Sequence, residues 1–109
     1  MKQKIDFKTF TEISEKLEIK LGEITAVEKM EKSNKMLKLT VVFGENDTRT
    51  VMTNIGNKVD SGFLLNAVFP FITNLEPAKI MGIESTAMIM VPTINDEINV
   101  DGDPGSVLM

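Results

Sequence analysis

Apolar and polar residues change their period along this chain, and the changes mark its elements. Phe7, Phe10, Ile13 and Leu17 fall at helical spacing. Thr9 stands three residues before Glu12, the arrangement of a capping box, so a short helix over residues 9–16, laid on a core, is expected. The period then becomes two. Leu17, Ile19 and Leu21 alternate with Glu18 and Lys20, the pattern of a half-buried strand. Across Gly22 the apolar phase moves from odd to even at Ile24, which predicts a bulge or sharp bend. The charged run 28–35 reads as a loop. Leu37, Leu39, Val41 and Phe43 then alternate with Lys38, Thr40 and Val42 in a second strand. Gly44 to Asp47 is turn chemistry, and the β-branched stretch 48–53 is expected to pair back as a hairpin.

A polar connection, residues 54–61, with room for a helical turn, precedes a fourth strand over 66–73. Pro70 lies inside it. Proline cannot donate to a ladder, so this strand is expected at an edge or with a bulge. A fifth strand covers 85–91, where the unbroken run from Ala87 to Val91 predicts burial on both faces, and Pro92 ends it. Phe63, Phe69 and Phe71 read as core. Met81, Met88 and Met90 read as fillers of a core or an interface, and Gly82 as a turn glycine. About five short strands and one helix predict an all-β chain closed into a small barrel, since a sandwich of the immunoglobulin type wants about seven.

Composition narrows the chemistry. A chain of 109 residues with 42% apolar content makes one domain with a small core, which self-association would extend. Cysteine and histidine are both absent. That excludes disulfides, zinc–thiolate sites and thiol nucleophiles, and removes the commonest general base and metal ligand. No catalytic constellation, cofactor or metal is expected. No apolar run approaches a membrane span and no apolar signal core follows the first residues, so a reduced, cytoplasmic protein is expected. The net charge of −4 argues against a nucleic-acid partner, but the charge is unevenly placed. Residues 1–58 hold eleven of the twelve basic residues and nine acids; residues 59–109 hold one base and seven acids. A basic face on an acidic molecule is therefore possible. The acids Asp96, Glu97, Asp101 and Asp103 lack EF-hand spacing and read as a solvated turn.

One segment carries more than pattern. Asn74-Leu-Glu-Pro-Ala-Lys-Ile-Met-Gly-Ile-Glu-Ser-Thr-Ala-Met88 resembles the Asn-Leu-x-Pro-x-Lys-x-Met-Gly-x-Glu-Ser-x-Gly-Met signature of the tRNA-binding OB-fold family. Further pieces follow the family's order: Ile5-Asp-Phe-Lys-Thr-Phe10, Leu17-Glu-Ile-Lys-Leu-Gly-Glu-Ile24, Asn34-Lys-Met-Leu-Lys-Leu-Thr-Val41, Arg49-Thr-Val-Met-Thr-Asn-Ile55 and Gly102-Asp-Pro-Gly-Ser106. The family occurs as free-standing bacterial dimers, as CsaA-type proteins and as an appendix of methionyl-tRNA synthetases. The resemblance implies a five-stranded OB barrel with its N-terminal helix over residues 5–92. It also implies a C-terminal extension, 93–109, that helps build a homodimer through apolar residues such as Ile94, Ile98, Val100, Val107 and Leu108. The family's binding positions map onto Lys20, Lys35, Lys38, Arg49, Asn74, Lys79, Ser85 and Met88. Lys and Arg neutralise phosphates, while Asn and Ser hydrogen-bond phosphate and ribose.

The chain departs from the pattern in places. Glu76 and Ala78 stand where basic residues are usual, Ala87 replaces a glycine, and stacking would rest on Phe, without Trp or Tyr. These changes imply weakened or altered RNA affinity. Three functions remain open at this level. One is a structure-specific tRNA-binding homodimer, free-standing or acting in trans for a methionyl-tRNA synthetase. Another is a CsaA-like export chaperone holding unfolded peptides in a dimer groove. The third is a dimerisation module without an RNA role.

Overall fold

The computed structural model describes residues 2–94, 97–98 and 107–108, with side chains as far as Val91. Helix α1 (Phe7–Ser14) is followed by β1 (Ile19–Lys29), β2 (Leu37–Val42) and β3 (Thr48–Thr53). A single helical turn, α2 (Ser61–Leu64), then leads to β4 (Val68–Ile72), the hairpin β5 (Ala78–Ile80) and β6 (Ile83–Ser85), and β7 (Met88–Ile89). Short strands β8 (Pro92–Ile94), β9 (Glu97–Ile98) and β10 (Val107–Leu108) form a small sheet in the order β10-β8-β9. The turn expected at Gly102–Ser106 lies outside the described residues, as do Val100, Asp96, Asp101 and Asp103.

The main sheet is antiparallel in the order β3-β2-β1-β4-β7 and curls into a half-barrel. The long strand β1 makes the curl possible, because its first half pairs with β4 and its second half with β2. Between Ile24 and Ala26 the register with β2 shifts, leaving Thr25 as the extra residue of a bulge. The bulge reverses the alternation, so Ile24 and Val27, three apart, both turn to the core. The bend expected at Gly22 therefore falls three residues later. Gly22 serves a close approach instead: a Cβ there would stand 2.6 Å from Phe43 Cε1 and Val41 Cγ1. Gly22→Ala should lower stability by about 1–3 kcal/mol through overpacking, read from a denaturant midpoint.

The core is built by Ile24, Leu37, Leu39, Val41, Val51, Leu64, Phe71 and Val91, all nearly inaccessible. Phe43 packs edge-on to Phe71 with ring centroids 5.2 Å apart. The sheet closes at β3 through a side chain: the Met52 N–H donates to Ser85 Oγ at 3.0 Å, and that hydroxyl donates to the Ala87 carbonyl at 3.3 Å.

Several local expectations are corrected. The helix starts earlier and is capped by Asp6, whose Oδ1 accepts from the Thr9 N–H at 2.7 Å; Thr9 is not the cap. No residue of α1 is buried, so it is not laid on this chain's core. The alternating set Leu17, Ile19 and Leu21 faces outward, Leu21 at 67% exposure, because the inward face of β1 is Gly22 and Ile24. Phe63 is exposed, leaving Leu64 as the apolar plug supplied by α2. Pro70 lies within an interior strand. Its carbonyl accepts from the Met90 N–H at 2.9 Å, so its polar edge faces β7, whose ladder begins only at Phe71. The run 87–91 alternates, with Met88 exposed between buried Ala87 and Ile89.

Candidate nucleic-acid interface

The residues singled out in the sequence separate to two ends of β1. At the first end, Glu18 and Lys20 flank the strand's start, Thr73 and Asn74 follow β4, and Asp47 and Arg49 open β3. Arg49 donates from Nε to Asp47 Oδ1 at 2.8 Å, from Nη2 to Asp47 Oδ2 at 3.2 Å and from Nη1 to the Thr73 carbonyl at 2.8 Å. Its guanidinium carbon lies 5.2 Å from the centroid of Phe43. The Thr73 hydroxyl donates to Glu18 Oε1 at 2.6 Å, and Lys20 Nζ lies 3.6 Å from the same oxygen. Asn74 is engaged on both sides of its amide: Oδ1 accepts from the Glu18 N–H at 2.9 Å and Nδ2 donates to the Lys16 carbonyl at 2.6 Å. Two cations thus face two carboxylates. This end closes the barrel and offers little surplus positive charge to a phosphate.

The Thr73 hydroxyl bond, aided by the charge of Lys20, holds the Glu18 carboxyl below its ordinary value. Hydrogen bonding from Arg49 does the same for Asp47. A lowered folded-state value means stability that is present at neutral pH and lost as pH falls through the lowered value. The thermal midpoint should therefore begin to fall as pH drops below the ordinary carboxylate range, about 4. Melts of Glu18→Gln across pH 7 to 3 should decline less steeply than wild type.

The second end gathers the other lysines. Lys38 pairs with Glu28 near the far end of β1, whereas Lys20 pairs with Phe71. Eight residues of β1 separate these two points, roughly 26 Å of strand at about 3.3 Å per residue. The single face expected for Lys20, Lys35 and Lys38 does not form. Lys38 and Lys35 instead join Lys29 and Lys32 around the β1–β2 loop. That loop is held by Ser33 Oγ, which accepts from the Met36 N–H at 3.1 Å, and by the Gly56 N–H, which donates to the Lys35 carbonyl at 2.6 Å. The Lys35 side chain is left in solvent.

Among the described residues, three clefts open at this end. One of about 440 Å³ lies between Lys29, Lys32 and Lys38 on one side and Met81 and Ile83 of the β5–β6 hairpin on the other. A polar cleft of about 470 Å³ continues from Lys29 to Lys58. An apolar cleft of about 260 Å³ is lined by Met36, Met52, Ile80 and Met88, with Met88 53% exposed. Lys79 is exposed on β5 opposite Glu84. Ser85 lies beneath, buried and committed to closing the sheet. Lys29, Lys32 and Lys58 were missed from the sequence. Lys29 and Lys32 stand in the run read as a plain charged loop, and Lys58 reaches the same end only through the fold.

Likenesses to known proteins extend over most of the chain. The profile of the tRNA binding domain family matches residues 19–102. The methionine–tRNA ligase of Methanococcoides burtonii is 38% identical over 85 residues, which cover 78% of this chain and 12% of that protein. The ligase of Helicobacter pylori strain J99 is 39% identical over 83 residues, 76% of this chain and 13% of that protein. The chain thus spans between 12% and 13% of the length of these relatives. Among solved structures, the MetRS related protein from Pyrococcus horikoshii superposes with a TM-score of 0.74 at 28% identity, covering 99% of this chain and 88% of that one. These matches identify the curled sheet as an OB-type barrel, and the chain belongs to the tRNA binding domain family.

Proposed function

We propose that this chain is a non-catalytic module that binds tRNA by its structure, using the end of the barrel formed by the β1–β2 loop, the start of β2 and the β5–β6 hairpin. One observation carries the reading: in a chain of net charge −4, Lys29, Lys32 and Lys38 line one cleft between the two loops where OB barrels take up oligonucleotides, and Lys35 is exposed on the first of those loops. Lys79 and Met88 belong to the same end, and Lys58 extends it. Lys20, Arg49, Asn74 and Ser85 serve mainly as its scaffold. In this reading the module works in the cytoplasm as a homodimer or in trans for a methionyl-tRNA synthetase. Residues 5–92 form the binding barrel and 93–109 an extension that supports pairing.

Self-association is favoured by uncovered apolar side chains: Ile19, Leu21 and Val68 share one face of the β1–β4 ladder, and Ile5, Phe7, Phe10 and Ile13 are exposed on or just before α1. A patch of this kind on a soluble chain marks an interaction surface, and a second copy presents the same patch to it.

The methionine-lined cleft favours a second reading, a holder of apolar peptides, and the fold of the chaperone CsaA from Bacillus anthracis is shared at a TM-score of 0.65 and 18% identity. Filter binding of bulk tRNA at two salt concentrations separates the two. RNA binding should weaken steeply with salt, whereas peptide binding in an apolar cleft should not. No tRNA retention at low salt would remove the first reading.

A further inference from the structure

The turn between β5 and β6 consists of Met81 and Gly82, with φ of 52° and 81°. Both values are left-handed, as in the tight primed turns that join two antiparallel strands. The first position of such a turn normally holds Asn, Asp or Gly, because the Cβ of an L residue crowds the following carbonyl oxygen there, a cost that glycine avoids and a local hydrogen bond of Asn or Asp offsets. Methionine is strained at this position. It is also 44% exposed, so burial offsets little of that strain. A strained, solvent-facing apolar residue at a loop tip points to a role outside folding.

Its surroundings indicate the role. Met81 projects into the 440 Å³ cleft, with Met30 and Ile83 completing an apolar floor. Lys29, Lys32 and Lys38 stand on the rim. Glu28 and Glu31 stand there too, and Glu28 Oε2 holds Lys38 Nζ at 3.8 Å. The volume is in the range of small-ligand sites, about 300–1,000 Å³. Among the described residues no aromatic ring lines the cleft, so the thioethers of Met30 and Met81 are its polarisable surface, that of Met81 carried on the hairpin tip. An apolar floor with a cationic rim suits a neutral base flanked by phosphates. It suits a compact polyanion poorly, since two carboxylates share the rim.

We propose that this cleft accepts one unstacked nucleotide of the bound RNA, its base laid against Met81 and its phosphates at Lys29, Lys32 and Lys38. The inference rests on the tRNA-binding reading and deepens it. RNA that presents an unpaired nucleotide is favoured over a blunt duplex, in which every base face is already stacked.

Met81→Asn tests it. Asparagine suits the left-handed turn and removes the apolar thioether. The variant should melt at or above the wild-type temperature. Its affinity for bulk tRNA and for a short single-stranded RNA should fall roughly tenfold. Its weaker binding to a blunt RNA duplex should be unchanged, and Met81→Leu should keep most of the affinity. If wild type binds tRNA and Met81→Asn binds it equally well, the nucleotide site is overturned while tRNA binding stands. If Met81→Asn melts well below wild type, the strain is not real and the inference fails. If wild type binds no tRNA at low salt, the proposed function falls first and takes this site with it.

Discussion

Reversing Lys35 and Lys38 to glutamate should remove most tRNA affinity and leave the domain folded. Both side chains stand at the loop end of the barrel, and among the described residues half-buried Lys38 pairs with exposed Glu28 at 3.8 Å. Such pairs contribute about 0–1 kcal/mol and the new carboxylate at position 38 would face Glu28, so the thermal midpoint should fall by a few degrees while the domain stays folded. Binding is different. With Lys29, Lys32, Lys35 and Lys38 each neutralising a phosphate, log affinity against log salt should have a slope of about −3. Removing two of the four contacts should reduce the slope to about −1.5. Lys20→Glu provides the contrast: it sits at the opposite end beside Glu18, so it should leave the salt slope unchanged. Glu76→Lys, exposed just before β5, should strengthen binding by restoring the family's charge beside the hairpin. Measurable tRNA binding with the wild-type slope in the double reversal would show that the face is misplaced.

Wild-type protein should sediment as a dimer at micromolar concentration, and Phe10→Asp combined with Leu21→Glu should sediment as a monomer. Phe7 is 81% exposed on α1 and Leu21 67% on β1, where Ile19 and Val68 share its face of the β1–β4 ladder. Burying each such side chain against a second copy contributes about 1.5–3 kcal/mol, and a carboxylate placed in the middle of that contact would be desolvated without a partner. The two substitutions do not touch Ile24, Leu39 or Phe71, so the barrel core should survive in the monomer. A monomeric wild type at these concentrations would remove the dimer from the proposal and leave the apolar face without its occupant.

The comparison of pattern with structure turns on what a local signal can encode. Strands β2 and β3 were legible, because Leu37, Leu39 and Val41 alternate against one core and Gly44–Asp47 turns the chain between them. The alternation of Leu17, Ile19 and Leu21 was equally legible as an apolar face, but a period of two does not say whether the cover is the chain's own core or another molecule. Of the β5–β6 hairpin only the turn glycine, Gly82, was legible. Its strands are three residues long, too short for a period to register, and its turn uses methionine where asparagine or glycine would have signalled it.

The same division holds for the candidate site. The sequence by itself determined the residue types, the excess of bases in residues 1–58 and the absence of histidine and cysteine. Only the tertiary structure decided which charges meet. The bulge at Thr25 and the curl of β1 carry Lys38 to the loops and leave Lys20 with Arg49, Glu18 and Asp47. Charge is a property of each residue, whereas the field a phosphate meets is a sum over neighbours. Those neighbours are set by strand register, which no single stretch of this chain contains.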